Sequence, residues 1–386
     1  MSDPPGLGSD VLILAGEASA DHHAAKIVRA LKDRGVATFG MGGDRMIGEG
    51  FTAIRHARDI SVMGFWAVLK HLRTIFAVER ALQEAVVARQ PKVAVLLDLP
   101  DFNLRMARFL KSRGVYVIYY ISPQVWAWRA SRVETIRKLV DEMLCVLPFE
   151  EGFYRERHVA ARYIGHPLVE DLAEKPALLP LRREIGDAPL IGLLPGSRRQ
   201  VTHRLLGTIL DAARVVLAAE PRAQFVLPLA GTSTKELVLS TLARYPDLLP
   251  RVHIVEGRSQ EVLATADSAV VASGTATLEA ALIGVPFVAV YRISWLTFQI
   301  LRRIVKVSSV ILANLILGEP RIVELLQGDM NRDRIAAFLL SALREPRVKA
   351  EASETRRRLL AALGQKTASD EVMRAVLARL PAKGTS

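Results

Sequence analysis

The chain alternates short apolar runs with longer amphipathic stretches. Val11–Ala15, Val93–Leu97, Val115–Tyr120 and Met143–Leu147 are nearly unbroken hydrophobic runs. Continuous runs of this kind predict strands of a parallel sheet that is covered on both faces. Asp21–Arg34, Phe102–Arg113 and Ser131–Val140 lie between them and carry helical periodicity. The rhythm restarts at Leu190–Leu194 and continues through Gln224–Pro228, His253–Val255, Ser268–Val271 and Phe287–Val290. Strands alternating with helices predict the α/β class, here two doubly wound parallel sheets.

A proline-rich stretch, Pro167 to Pro189, separates the two series and reads as a linker. The predicted organisation is a first Rossmann-like domain over 1–170, a second over 171–345, and a helical tail over 346–386. The tail either returns to the first domain or exchanges with a partner chain. Ser268 to Tyr291 is long enough to span a bilayer and carries only Glu279 as a charge. Ser273, Gly274, Thr275, Gly284 and Pro286 break it instead into strand, turn, helix, turn and strand. Two such halves with a helical tail suggest the glycosyltransferase B architecture. Ligands of these sheets bind at the carboxyl ends of the strands, which places the expected active site between the halves.

Charge narrows the partners. Lys and Arg number 52 against 40 Asp and Glu, a formal charge of +12. That balance favours phosphorylated substrates, an anionic lipid surface or nucleic acid, with a merely solvated basic surface as the plain alternative. No zinc-ligand spacing or RNA-binding aromatic motif occurs, so no nucleic acid is expected. One cysteine, Cys145, excludes an internal disulfide. The first ten residues are polar and the apolar run after them is short, so no export signal is expected and the predicted location is cytoplasmic.

Candidate chemistry sits in the turns after strands. Gly16-Glu17-Ala18-Ser19-Ala20-Asp21 follows the first strand; Glu17 and Ser19 are candidate substrate contacts, with helix capping the alternative for Ser19 and Asp21. Gly40-Met41-Gly42-Gly43 reads as a glycine-rich turn. Asp98-Leu99-Pro100-Asp101 closes the Val93–Leu97 strand; Asp98 is the candidate general base and Asp101 a candidate cap. The spacing is not Asp-x-Asp, and no metal or other cofactor is expected. Ser122-Pro123-Gln124-Val125-Trp126-Ala127-Trp128 offers Gln124 and Trp126 as a substrate wall, or else an aromatic plug; alternation would turn both tryptophans to one side. In the second half, Gly196-Ser197-Arg198 and Ser273-Gly274-Thr275 each follow a strand and suit a diphosphate. Glu279 lies one turn beyond the second and suits a ribose diol.

Gly16-Glu17-Ala18-Ser19, Ser122–Trp128, Gly165-His166-Pro167, Leu194–Arg198, Ser273–Glu279 and Glu324-Leu325-Leu326-Gln327 occur in an order that resembles the lipid-A-disaccharide synthase family. The likeness runs from about Val11 to Gln327, and Trp126-Ala127-Trp128 is its most diagnostic piece. It implies an inverting hexosyltransferase that moves 2,3-diacylglucosamine from UDP-2,3-diacylglucosamine to 2,3-diacylglucosamine 1-phosphate. The implied products are UDP and a β-1,6 disaccharide, made at the cytoplasmic face of a Gram-negative inner membrane. By the same resemblance, Asp98 and Arg198 are catalytic, Glu279 meets the nucleotide and Asn314 lines the substrate cleft. Ala20 and Val201 depart from the family's usual glycine and glutamate. Another UDP-N-acetylglucosamine enzyme of this architecture, or a nucleotide-sugar-binding protein without turnover, are the competing readings.

Val62, Phe65, Trp66, Leu69, Leu72 and Phe76 recur at helical spacing with Lys70 and Arg73 among them. Such a stripe suits a peripheral contact with anionic lipid, or equally a face packed on the sheet. A homodimer is a further expectation, resting on the resemblance and the helical tail.

Overall fold

The computed structural model describes residues 11–61, 67–128, 130–173, 180–229, 232–295, 297–299 and 309–380. They fold as two compact units, residues 1–170 with 365–386 and residues 171–364. Val62, Phe65 and Trp66 of the proposed lipid-facing stripe lie outside the described residues, as do the side chains of Leu69, Lys70 and Leu72.

Seven described strands build the first unit's sheet: β1 Val11–Ala15, β2 Thr38–Gly42, β3 Thr52–His56, β4 Val93–Leu97, β5 Tyr116–Tyr120, β6 Glu142–Cys145 and β7 Ala161–Tyr163. All pair in parallel, in the order β3-β2-β1-β4-β5-β6-β7. Every residue of β1 and β4 is buried, as expected where helices cover both faces. The glycine-rich segment expected as a turn is instead β2. Gly40 adopts φ +137°, and a Cβ there would stand 2.3 Å from the Ile13 carbonyl oxygen. The glycine lets two backbones approach; it does not make a loop.

The second unit carries β8 Leu190–Leu194, β9 Gln224–Leu229, β10 Val252–Glu256, β11 Ser268–Ala272, β12 Phe287–Tyr291 and β13 Glu324–Leu326. Their order is β10-β9-β8-β11-β12-β13, again parallel. The long apolar stretch resolves into β11, the helix Thr275–Ile283 and β12. No helix of the described residues is long and apolar enough to cross a membrane.

The tail read as one piece divides between the units. Pro346–Leu363 packs within the second, where Arg356 donates to the Leu282 carbonyl at 2.8 Å. Ala368–Leu377 packs against Ala18–Lys32 of the first. Gly165 makes that return path close. It sits at φ +94°, and a Cβ there would meet the Lys366 carbonyl oxygen at 2.3 Å.

Along the helix Ala67–Arg89, Ile75, Val78, Leu82 and Val86 turn inward onto the sheet. Arg73 and Phe76 turn outward, Phe76 with 57% of its surface exposed. The described part of this helix therefore has one packed face and one open apolar-basic edge.

Candidate active site

Each sheet reverses its strand order once, between β1 and β4 in the first unit and between β8 and β11 in the second. Loops diverge at such a point and leave a crevice at the carboxyl ends of the strands. Of the turns singled out from sequence, those after β1, β4, β8 and β11 stand at these two places.

In the first unit, Gly16 follows the end of β1 and Asp98 the end of β4. The Asp98 carboxylate accepts the backbone N–H of Glu17 at 3.1 Å and that of Gly16 at 3.4 Å. Asp98 and Leu99 both hold left-handed backbone, φ 50° and 36°. Non-glycine residues there are strained, and two in succession need outside support. Asn103 supplies it by donating to the carbonyls of Leu97 at 2.8 Å and Asp98 at 2.7 Å, while the Tyr119 hydroxyl donates to the Asp98 carbonyl at 2.6 Å. Gly16 leaves room for the displaced Leu99, whose Cδ1 lies 2.0 Å from where a Cβ would stand.

Burial pushes the Asp98 carboxyl up to about 7, the Glu17 charge adds to the rise, and the two backbone donors oppose it. A carboxylate poised near neutrality is suited to take a proton from an alcohol. Glu17 and Ser19 are exposed beside it. Neither Ser19 nor Asp21 caps its own helix. Asp21 is buried and instead accepts the N–H groups of Gly43, Arg45 and Met46 at 2.7, 3.1 and 3.2 Å, holding the start of the next helix. Asp101 is not the expected cap either; Leu99 occupies that position and Asp101 pairs with Arg132.

The loop after β5 differs from its sequence reading. Val125–Trp128 is a helical turn, not an extended segment, so residues two apart do not share a face. Trp126 is half-buried and Gln124 exposed; the Trp128 side chain lies outside the described residues. The Trp126 indole donates to Glu150 at 3.0 Å, a carboxylate the motif reading missed. Its signal was faint: Glu150 follows Pro148 by two places, an ordinary first-turn acid.

The second unit holds a cavity of about 310 Å³ at its switch point. Gly196, Ser197 and Arg198 line one side; Ser273, Gly274 and Thr275 line the other. The two turns adjoin because β8 pairs with β11, Leu194 opposite Val271. Helices Arg199–Ala219 and Thr275–Ile283 both start here, with no side-chain cap and no acid in the first turn. Their leading N–H groups and partial positive charge suit the cavity to an anion. Arg198 is exposed, and no acidic side chain pairs with it among the described residues. Gly274 starts its helix from φ 145°, a conformation that suits glycine. Val201 lines the cavity wall as well.

Not every expected residue points a free group into the cavity. The Ser273 hydroxyl donates to the Val310 carbonyl at 3.2 Å and its N–H to Val290. Glu279 accepts from the Gln260 amide. Asn314 is buried with its amide fully engaged. It donates to the Ile322 carbonyl at 2.9 Å and Glu324 at 2.8 Å, and accepts the N–H groups of Arg321 at 3.1 Å and Ile322 at 3.0 Å. That is a scaffold position, not an open cleft contact. Glu324, named from sequence only as part of a family-like segment, also accepts from the Val310 N–H at 2.9 Å and from Ser309.

Solved structures share this fold. UDP-N-acetylglucosamine 2-epimerase from Listeria monocytogenes superposes with a TM-score of 0.69 at 12% identity, over 97% of this chain and 96% of that one. The epimerase from Neisseria meningitidis, solved bound to UDP-GlcNAc, gives 0.64 at 11% over 96% and 100%. MurG of Acinetobacter baumannii gives 0.58 at 13%, over 96% and 99%. Two parallel α/β units, helices on both faces and a phosphate-type cavity at the switch point define the glycosyltransferase B class. A family model described as lipid-A-disaccharide synthetase matches residues 11–377. Lipid-A-disaccharide synthase of Myxococcus xanthus is 47% identical over 87% of each chain, and that of Anaeromyxobacter sp. 42% over 97% and 98%. The chain belongs to the lipid-A-disaccharide synthase family, and it is a glycosyltransferase of lipid A disaccharide synthesis.

Proposed function

We propose that the enzyme transfers 2,3-diacylglucosamine from UDP-2,3-diacylglucosamine to the 6-hydroxyl of 2,3-diacylglucosamine 1-phosphate. The supporting observation is the cavity at the β8/β11 switch point, where two uncapped helix starts and Arg198 converge. A nucleoside diphosphate matches that donor set in charge and shape. The Neisseria epimerase, solved with UDP-GlcNAc bound, holds a nucleotide sugar of the same class.

Asp98 takes the proton of the acceptor hydroxyl as its oxygen bonds to the anomeric carbon. The bond from that carbon to the α-linked diphosphate breaks on the opposite face, and its electron pair leaves with UDP. The product linkage is therefore β. The leading N–H groups of Thr275–Ile283 and the Arg198 guanidinium stabilise the departing negative charge. Glu279 receives the ribose hydroxyls after releasing Gln260. Glu17, Ser19, Gln124 and Trp126 border the acceptor. The acyl chains of both substrates remain lipid-embedded, and the exposed Arg73–Phe76 edge supports peripheral contact with the cytoplasmic face of the inner membrane.

Mass spectrometry of the products tests this. With both acylated substrates present, the expected result is disaccharide 1-phosphate and UDP in equal amounts. UDP release without disaccharide, or equal use of unacylated UDP-N-acetylglucosamine, would overturn it.

A further inference from the structure

Glu150 lies at the start of Pro148–Arg155 and is 1% exposed. Its Oε1 accepts the Ser122 hydroxyl at 2.5 Å and the Trp126 indole N–H at 3.0 Å; its Oε2 accepts the Leu147 N–H at 3.2 Å. Both Oε1 partners belong to the loop that follows β5. That loop leaves its strand through Ile121 at φ 63°, a left-handed position that a β-branched residue does not adopt unaided. The Tyr154 hydroxyl holds Pro123 from the same helix as Glu150, at 3.2 Å. β5 also pairs with β4, Tyr120 opposite Leu97, and Tyr119 bonds the Asp98 carbonyl. A continuous set of contacts thus runs from Glu150 through Ser122 and β5 to the strained Asp98 turn.

We infer that Glu150 is a positioning residue for the transfer reaction: through Ser122 and Trp126 it fixes the acceptor-side loop beside Asp98. This rests on the proposed acceptor role of the first unit. The ionised carboxylate holds all three donors. A proton on either oxygen removes one acceptor, reverses the Ser122 hydroxyl or weakens the indole bond, and loosens the loop. Burial pushes this carboxyl up to about 7, against these three donors and the Val146 N–H. The titratable groups coupled to it are the Cys145 thiol of β6 and, on its own helix, Tyr154; the Glu150 charge helps raise both. The loop is therefore set above neutral pH and loosened below it.

The test uses the full chain and three proteins: wild type, Glu150→Gln and Trp126→Phe. Near-ultraviolet circular dichroism and tryptophan fluorescence are followed from about pH 5 to about pH 9 without substrate. The wild type should show a transition with a midpoint near 7, and both variants should lose it. At pH 8, Glu150→Gln should raise the acceptor KM about tenfold while UDP affinity stays within about twofold. Wild-type acceptor KM should rise as pH falls through the midpoint, and the variant's should not. A folded Glu150→Gln enzyme with wild-type acceptor KM, or a transition that survives in either variant, would overturn the assignment. If Glu150→Gln does not fold, Trp126→Phe carries the test: a wild-type acceptor KM there would overturn it equally. The spectral transition needs no substrate. A wild type that makes no disaccharide but keeps the transition would sink the proposed reaction and leave Glu150's hold on the loop standing.

Discussion

Asp98→Asn should lower turnover about 10²- to 10⁴-fold, the usual cost of losing a positioned base. UDP affinity should stay within about twofold, because the proposed nucleotide cavity is lined by residues of the other unit. The same variant should be more stable than the wild type above neutral pH. Burial raises this carboxyl from 3.8 to about 7, so the folded state holds its proton more tightly than the unfolded chain does. Stability associated with that proton is complete below pH 3.8 and is lost as pH rises through 7. Asparagine carries no charge to bury, and should gain about 4 kcal/mol at pH 8 and nothing at pH 3. Thermal unfolding at the two pH values checks the sign, and single-turnover kinetics check the chemistry. Near-wild-type turnover would remove Asp98 from the base role.

Arg198→Ala should weaken UDP binding about 10- to 100-fold, the loss of one charge-assisted, two-pronged contact. Turnover should also fall, because the developing charge on the leaving diphosphate loses its side-chain cation. Arg198→Lys should restore part of the affinity but less of the turnover, since a point charge replaces a planar fork. Titration calorimetry with UDP and steady-state kinetics separate the two effects. Neither variant should unfold the protein: Arg198 is exposed and forms no ion pair among the described residues.

Much of this frame can be read along the chain because its information is local. The buried strands β1, β4 and β8 have the bounds that their apolar runs predict. A strand covered on both faces needs no alternation to announce it. β3 gave no such signal: Thr52–His56 is an edge strand, largely exposed and polar. β2 was hidden by its glycines, of which Gly40 lets two strands approach closely, and β7 and β13 are only three residues long. The phosphate-type turns were legible for the same reason as the strands, since Gly196-Ser197-Arg198 and Ser273-Gly274-Thr275 are short and each opens a helix. Side chains that act across the fold were not. Glu150 meets partners 24 and 28 residues away, and Asn314 shows its engagement only when Ile322 and Glu324 fold back on it. Sequence also cannot reveal that Asp21 serves a helix other than its own.

The anion cavity of the second unit carries the account, and a crystal structure with UDP examines it directly. The diphosphate should lie on the leading N–H groups of Thr275–Ile283, within reach of the Arg198 guanidinium and with the ribose toward Glu279. UDP bound outside the β8/β11 crevice, or bound there with Arg198 and Gly274 making no phosphate contact, would contradict it.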